Sequence, residues 1–368
     1  MKNDSAEFVL QTFTRENELP HKLQRSSSHK QSEQQVCNMV DIAFHNGYSC
    51  AKNPTYTEDR GMKFTIGNLL VIGVADGHGR TPYYAKYVTV NFQFEFILAL
   101  KNSPNNIQQA LFDTFATLTK KIDILYQENK LYGGTTFSVC VIDQCMTPQK
   151  AYIAHLGDSP IFILRNSGSG YEIKFRTIDH DIHNPIEQER LFKANPLIYF
   201  DGDYMCLSNN KIMTVRGFGD YYYNDPNLYP NCIIKETGEL IGRIPDISVI
   251  DLQPSDLIIA SSDGLLETIT KNGIGPGRNE QEICEDAWDG FINQVKSISK
   301  YLINKKIDRL TTLYMKKLKI DASDIQRKMY QEMLEKNMDN HVVITHLIEQ
   351  KSIQLSISNP SRKRALSL

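Results

Sequence analysis

The sequence predicts an α+β domain in which two antiparallel sheets pack face to face with helices outside them. Three observations predict it: short apolar runs that begin or end at acidic clusters, a pair of long segments with helical periodicity, and four short strand-like runs after Gly134. Strands before and after the helical pair, with more helix later, give that layering.

Taken in order, residues 1–42 are polar, and Arg25 to Gln35 is their most biased stretch. So little apolar surface does not offset the entropy of ordering, and a flexible tail is expected there. Met62 to Ile66 reads as a strand leaving Glu58 and Asp59. Asn68 to Ala75 reads as a buried strand stopped by Asp76-Gly77, an apolar run followed by turn residues. Two helices follow. The first runs from Pro82 to Leu100, its proline suited to an opening turn, and the second carries Ile107, Leu111, Phe115, Leu118, Ile122 and Leu125 on one face. Such a stripe is core and would cover one face of a sheet.

Thr136 to Ile142, Ala151 to His155, Pro160 to Arg165 and Tyr171 to Thr177 are short strands, with a hairpin turn at Asn166 to Gly170 between the last two. Residues 192–243 are loop-rich and include Tyr221-Tyr222-Tyr223, a cluster read as surface packing ahead of contact with a protein substrate. Asp256 to Ala260 is a strand that leads to Asp263, and His341 to Ile348 is a strand that leaves Asp339-Asn340. Between them, residues 271–338 open with a loop and continue as lysine-dense helical segments, read as an insertion packed on the surface. Residues 351–368 form a C-terminal tail whose basic run Arg362-Lys363-Arg364 is too short to define an import or membrane signal.

Two strands thus run toward the acids and two run away, which puts Glu58, Asp59, Asp76, Asp263 and Asp339 at one edge of an antiparallel sheet. A single Asp-Gly pair usually just closes a turn. Four clusters at one inferred edge point instead to hard divalent cations and hydrolytic chemistry.

The motifs resemble those of the metal-dependent protein phosphatases of the type 2C class, in that family's order, between residues 45 and 350. Thr57-Glu58-Asp59 is similar to its acidic pair and Val74-Ala75-Asp76-Gly77-His78-Gly79 to its Asp-Gly-His-Gly signature. Gly133-Gly134-Thr135-Thr136 resembles the Gly-Ser-Thr-Ala element, and Gly157-Asp158-Ser159 the Gly-Asp-Ser turn. Thr177 to Leu191 echoes the Asp-His-x-Pro segment, and Arg216-Gly217-Phe218-Gly219-Asp220 the Arg-x-Phe-Gly-Asp box. Ile244-Pro245-Asp246, Ser262-Asp263-Gly264-Leu265-Leu266-Glu267 and Asp339-Asn340-His341-Val342 complete the series.

The resemblance implies a four-layer αββα sandwich and a catalytic domain over residues 43–350, with a flap-like region at 192–243 and the helical insertion at 271–338. It implies two Mg²⁺ or Mn²⁺ ions and a weaker third. Asp76 would bridge the pair, the Gly77 carbonyl would join it, Glu58 would bind one ion, and Asp263 with Asp339 the other. Asp158 with Asp263 matches the third site, Asp59 would orient a water, and His78 is the candidate general acid. The implied reaction is hydrolysis of phosphoserine or phosphothreonine on proteins. One departure stands out: the family's phosphate-gripping arginine is replaced by Pro54, with Lys52 and Arg80 as the nearby cations able to serve instead. Weakened phosphate binding is expected, and the alternative reading is a weak or inactive relative that binds phosphoproteins or acts as a scaffold. Pro160, where an arginine is common, points the same way.

Composition narrows the rest. A formal charge of −2 gives no electrostatic case for nucleic acid or an anionic membrane, and the missing basic patch argues against a two-metal nuclease. Seven scattered cysteines without a Cys-x-x-Cys pair fit reduced thiols in a cytoplasmic setting. No run is long enough to span a membrane and no signal peptide is evident, so a cytoplasmic monomer is the expectation.

Overall fold

Leu70, Ile72 and Val74 alternate with Val71 and Ala75 along one strand, and both sets are buried, so the sheet that contains it is covered on both faces. In the computed structural model this sheet is built from β2 (Arg60–Ile66), β3 (Leu69–Ala75), β6 (Phe137–Asp143), β7 (Lys150–Leu156) and β14 (Asp246–Asp251). Their order is β14-β7-β6-β3-β2, antiparallel throughout. A second five-stranded sheet is built from β1 (Val40–His45), β8 (Ile161–Asn166), β9 (Tyr171–Arg176), β15 (Leu257–Ser261) and β18 (His341–Leu347), in the antiparallel order β1-β18-β15-β8-β9. The structure describes residues 40–45, 57–79, 81–194, 198–207, 210–224, 240–270, 273–276, 280–318, 324–335 and 341–348.

The alternation sorts the core into layers. Leu70, Ile72, Val74, Cys140 and Ile153 of the first sheet meet Ile161, Ile163, Ile258, Val342 and Ile344 of the second. On the outer face of the first sheet, α1 (Tyr83–Asn102) and α2 (Ile107–Asn129) pack Phe92, Phe96, Phe115 and Leu118 against Val71, Val139 and Val141. Each of these fully buried phenylalanines contributes on the order of 2–3 kcal/mol. Asn106 caps α2 by accepting the Gln109 N–H at 3.0 Å, and Lys130 ends it in the left-handed region at φ 52°. On the far side, α5 (Glu280–Ile292) and α6 (Ile298–Leu318) pack Ile283, Leu302, Ile307 and Leu310 against Phe162, Leu164, Leu257 and Ile259. The architecture is therefore the four-layer αββα sandwich.

Three sequence expectations change. The acids do not share one sheet edge: β2 and β3 belong to the first sheet while β15 and β18 belong to the second, so the sites at their ends face each other across the sandwich. Residues 40–42, placed in the tail by their neighbours' polarity, are part of edge strand β1. The stretch read as an insertion supplies α5 and α6, the outer layer that covers the second sheet, and only α7 (Asp324–Glu335) lies beyond it, tied to α6 by Arg327 and Asp308 at 2.5 Å.

Smaller elements complete the fold. Between the sheets' loops lie three two-residue strands, β4 (Gly77–His78), β5 (Gly134–Thr135) and β13 (Phe218–Gly219). The 192–243 region holds β10 (Tyr199–Asp201), β11 (Tyr204–Leu207), β12 (Asn210–Ile212) and α4 (Tyr221–Asn224), preceded by α3 (Pro185–Ala194). Leu191, Met205, Leu207 and Val215 give this part its own small core. Tyr221 is buried in the main core and stacks on Tyr126 at 3.8 Å, so it packs and does not face solvent. A 3₁₀ turn at Asp263–Leu266 leads into the hairpin β16 (Glu267–Thr270) and β17 (Gly273–Pro276).

Candidate functional site

The three shortest strands set the centre of the site. Pairing of His78 with Gly134 and of Gly134 with Gly219 brings the β4 loop against the residue after β13, which is Asp220. His78 Nε2 stands 2.8 and 2.9 Å from the two carboxylate oxygens of Asp220. A Cβ on Gly134 would stand 2.2 Å from Asp220 Oδ2 and 2.6 Å from His78 Nε2, so only glycine lets the pair meet. Asp220 itself has φ +51°, a region aspartate tolerates, and its N–H donates to the Gly133 carbonyl at 2.8 Å. Burial disfavours the imidazolium of His78, but the Asp220 carboxylate, with Glu58 and Asp263 further off, outweighs it and holds the pKa above the ordinary 6.5.

Asp76, at the end of β3, is fixed by its neighbours in the next strands. Its carbonyl accepts the Thr136 N–H at 2.9 Å and the Thr135 hydroxyl at 2.8 Å, while its own N–H donates to Thr136 Oγ1 at 3.1 Å. A Cβ on Gly77 would lie 2.6 Å from the Glu58 carbonyl, so the glycine allows the backbones carrying Asp76 and Glu58 to touch. Glu58 and Asp59 are both buried.

The second sheet contributes Asp263, whose carboxyl is within hydrogen-bonding reach of Asp76. Burial and Glu267 raise its pKa, against the pull of Asp76 and Lys306. Asp158 is raised well above the usual carboxylate range by burial and then by Asp263, Asp179 and Asp181. Asp179 is pushed to about 6 mainly by burial, which outweighs the Arg176 ion pair.

Beneath Asp158 a buried polar web holds the turn. Thr136 and Ser159 hydroxyls lie 2.6 Å apart, and Ser138 donates to the Ser159 carbonyl at 2.7 Å. The Gly157 N–H donates to His180 Nδ1 at 3.0 Å, which leaves Nε2–H to donate to Asp246 at 3.1 Å. That bond, with Arg216, holds Asp246 down at about 2.

The arrangement therefore gathers Glu58, Asp76, Asp158 and Asp263 beside a histidine with its own carboxylate partner. Burial raises the pKa values of Asp158 and Asp263, helped at Asp158 by the carboxylates of Asp263, Asp179 and Asp181, and an all-oxygen donor set of this kind fits a hard divalent cation. Among the described residues no three His, Cys, Asp or Glu side chains already stand in ligating arrangement. Asp339, Lys52, Arg80 and Pro54 lie outside the described residues. Arg60, not singled out from sequence, turns its guanidinium to the backbone carbonyls of Thr57 and Asp59 at 2.5 and 2.7 Å. Asp220 was visible only as the end of a Gly-Asp box, and its tie to His78 is a product of the fold.

An αββα sandwich with a carboxylate cluster where its two sheets meet is the class that fold and site define. The sequence model of protein phosphatase 2C matches residues 69–274, and the chain belongs to that family. It is 24% identical over 229 residues to protein phosphatase 2C homolog 1 of Saccharomyces cerevisiae, covering 58% of this chain and 68% of the relative. It is 21% identical over 251 residues to human protein phosphatase 1A, covering 65% of this chain and 58% of that protein's length. Among solved structures, a serine-threonine phosphatase 2C from Toxoplasma gondii superposes with a TM-score of 0.58 at 16% identity, over 84% of this chain and 95% of that one. A C. elegans sex determining protein superposes with a TM-score of 0.56 at 18% identity, over 86% of this chain and 66% of that one. At these identities the two structures establish the fold.

Proposed function

We propose that the chain hydrolyses phosphoserine or phosphothreonine on proteins with the help of divalent cations. The observation that carries the reading is the meeting of Asp76, Asp158 and Asp263 beside the His78–Asp220 pair. The names of its relatives, protein phosphatases from yeast and human, support it. Glu58, Asp76, the Gly77 carbonyl, Asp263 and Asp339 would hold two Mg²⁺ or Mn²⁺ ions, with Asp158 and Asp263 at a weaker third. Bound there, they would acidify a water and offset charge on the phosphoryl oxygens.

The chain's own groups supply the rest. Asp59 orients the water. A serine or threonine alkoxide is a strong base and needs a proton as it leaves, which His78 gives. Asp220 takes the Nε2–H of the imidazolium, so the Nδ1–H is the transferable proton. Pro54, where a phosphate-gripping arginine is usual, favours a second reading as a phosphoprotein-binding relative.

Hydrolysis of a phosphothreonine peptide separates the two, measured with Mn²⁺, with Mg²⁺ and with chelator beside an Asp263→Asn variant. Metal-dependent phosphate release that the substitution abolishes is the expected result. Metal binding without turnover would move the assignment to the binding role.

A further inference from the structure

Among the residues of α6 one stands apart. Lys306 is 1% exposed, and its ammonium donates to the carbonyl of Gly264 and to Glu267 Oε2, the latter at 2.6 Å. A buried ammonium costs several kcal/mol in desolvation unless it is well paired. The helix faces around it are apolar, with Leu302, Ile303, Ile307 and Leu310 in the core of the second layer. Packing alone would be served at lower cost by an apolar side chain. These two bonds land on the turn that begins at Asp263, at the residue after it and at the residue that caps the turn's end.

That turn is also held by the burial of Leu265 and by the pairing of Glu267 with Pro276 in the hairpin that follows, but Lys306 is the charged group that reaches it from the outer layer. Its start is pinned by Ser262, which donates its N–H to the Val342 carbonyl at 3.1 Å and accepts the Val342 N–H at 3.0 Å. Inside the turn the Leu265 N–H reaches the Ser262 carbonyl only at 3.4 Å, and 3₁₀ geometry is weak in general. The turn's end is capped by the Glu267 N–H on the Gly264 carbonyl, the same oxygen that accepts from Lys306.

We propose that Lys306 is a positioning residue, which fixes the orientation of Asp263 from the outer helical layer. Through it α6 does more than cover the second sheet: it sets one wall of the site, and a shift of α6 would be felt at Asp263. The inference rests on the metal-dependent phosphatase reading, but the two can fail separately.

The test compares the wild-type chain with Lys306→Met/Glu267→Gln, which removes both charges of the pair, and with Glu267→Gln alone, which keeps the bond to Gly264. Three quantities are read: amide exchange over residues 262–268, Mn²⁺ affinity by calorimetry, and melting temperature. The double variant is expected to exchange at least about tenfold faster in the turn and to bind Mn²⁺ about tenfold more weakly. Glu267→Gln is expected to fall between it and wild type. Unchanged exchange and Mn²⁺ affinity with only a lowered melting temperature would reduce Lys306 to packing and overturn the inference. If the double variant does not fold, Glu267→Gln decides, with unchanged exchange overturning it. A wild-type chain that binds no Mn²⁺ sinks the phosphatase reading, and the exchange data then support or overturn the role of Lys306 alone.

Discussion

The turns that carry Asp76 and Asp263 meet at one site but are held in different ways. The Asp76 turn sits in a mesh of bonds from adjacent strands: Thr136 N–H and the Thr135 hydroxyl on its carbonyl, Thr136 Oγ1 on its N–H. The Asp263 turn is tied at one end to Val342 and at the other to the β16–β17 hairpin and to Lys306, forty-two positions after Gly264. One side of the site is held by several backbone-directed bonds from Thr135 and Thr136 that share the load. With Lys306 as a positioning residue, the other takes part of its rigidity from the outer layer, so the two halves should respond unequally to substitution.

The largest expected effect strikes the first half, at its least replaceable position. Gly134→Ala drives a methyl group between His78 and Asp220, and kcat on a phosphothreonine peptide should fall by about 10³-fold, roughly 4 kcal/mol. A value within threefold of wild type would mean that the pair does not act in the reaction. The next effect is on stability and belongs to the second sheet. His346 is buried in β18 and its pKa is lowered to about 4 by burial and then by Lys63, with no hydrogen-bond partner at Nδ1 among the described residues. Its folded pKa lies below the unfolded 6.5, so the unfolded chain takes the proton first. The stability owed to the neutral ring is full above pH 6.5 and drains away as the pH falls toward 4, by about 3 kcal/mol in all. Denaturant titrations of wild type and His346→Leu at pH 7 and pH 4 isolate it, because the variant lacks that titration. An identical pH dependence in the two proteins would contradict it.

How much of this was legible depends on sequence distance. The Asp76 turn could be read directly, since an apolar strand, its Asp-Gly stop and the Gly-Gly-Thr-Thr element carry their own signals. The α2 stripe was equally plain, and Phe115 and Leu118 are fully buried as expected. Assigning the strands to two sheets could not be done locally: β3 and β15 have the same apolar run and the same acidic end, and only pairing tells them apart. Val40 and Ile42 were hidden by the polar residues before them. Lys306 was hidden by its neighbours too, because Lys300 and Lys305 on the same helix are ordinary lysines, Lys305 paired with Asp289 at 2.9 Å. Nothing in a lysine-dense helix marks the one that turns inward. Asp220 could be seen as part of a motif, but its partner lies 142 positions away.

Asp220→Asn sharpens the assignment of roles within the first half. The neutral amide keeps a hydrogen bond to His78 but removes the charge that stabilises its imidazolium, so proton donation weakens. On a phosphothreonine peptide kcat should drop by about 30-fold, or roughly 2 kcal/mol. On p-nitrophenyl phosphate, whose leaving group needs no proton, the drop should stay below about threefold. Equal losses on both substrates would assign Asp220 to the architecture of the site and not to proton transfer.

The smallest effect is the one that bears most directly on the contrast between the turns. Thr136→Val keeps the shape of a buried side chain while removing the oxygen that accepts from the Asp76 N–H and meets the Ser159 hydroxyl. Leaving those groups without that partner costs about 1–2 kcal/mol of stability, read from the denaturation midpoint. The Thr136 N–H and the Thr135 hydroxyl still grip the Asp76 carbonyl, so the turn should keep its place and Mn²⁺ affinity should change less than about twofold, well short of the loss expected when an outer-shell partner is the sole support. A Thr136→Val protein with tenfold weaker Mn²⁺ binding would show that the bonds at Asp76 are not redundant. The redundancy assigned to the Asp76 turn would then be gone, and the contrast between the two halves would collapse.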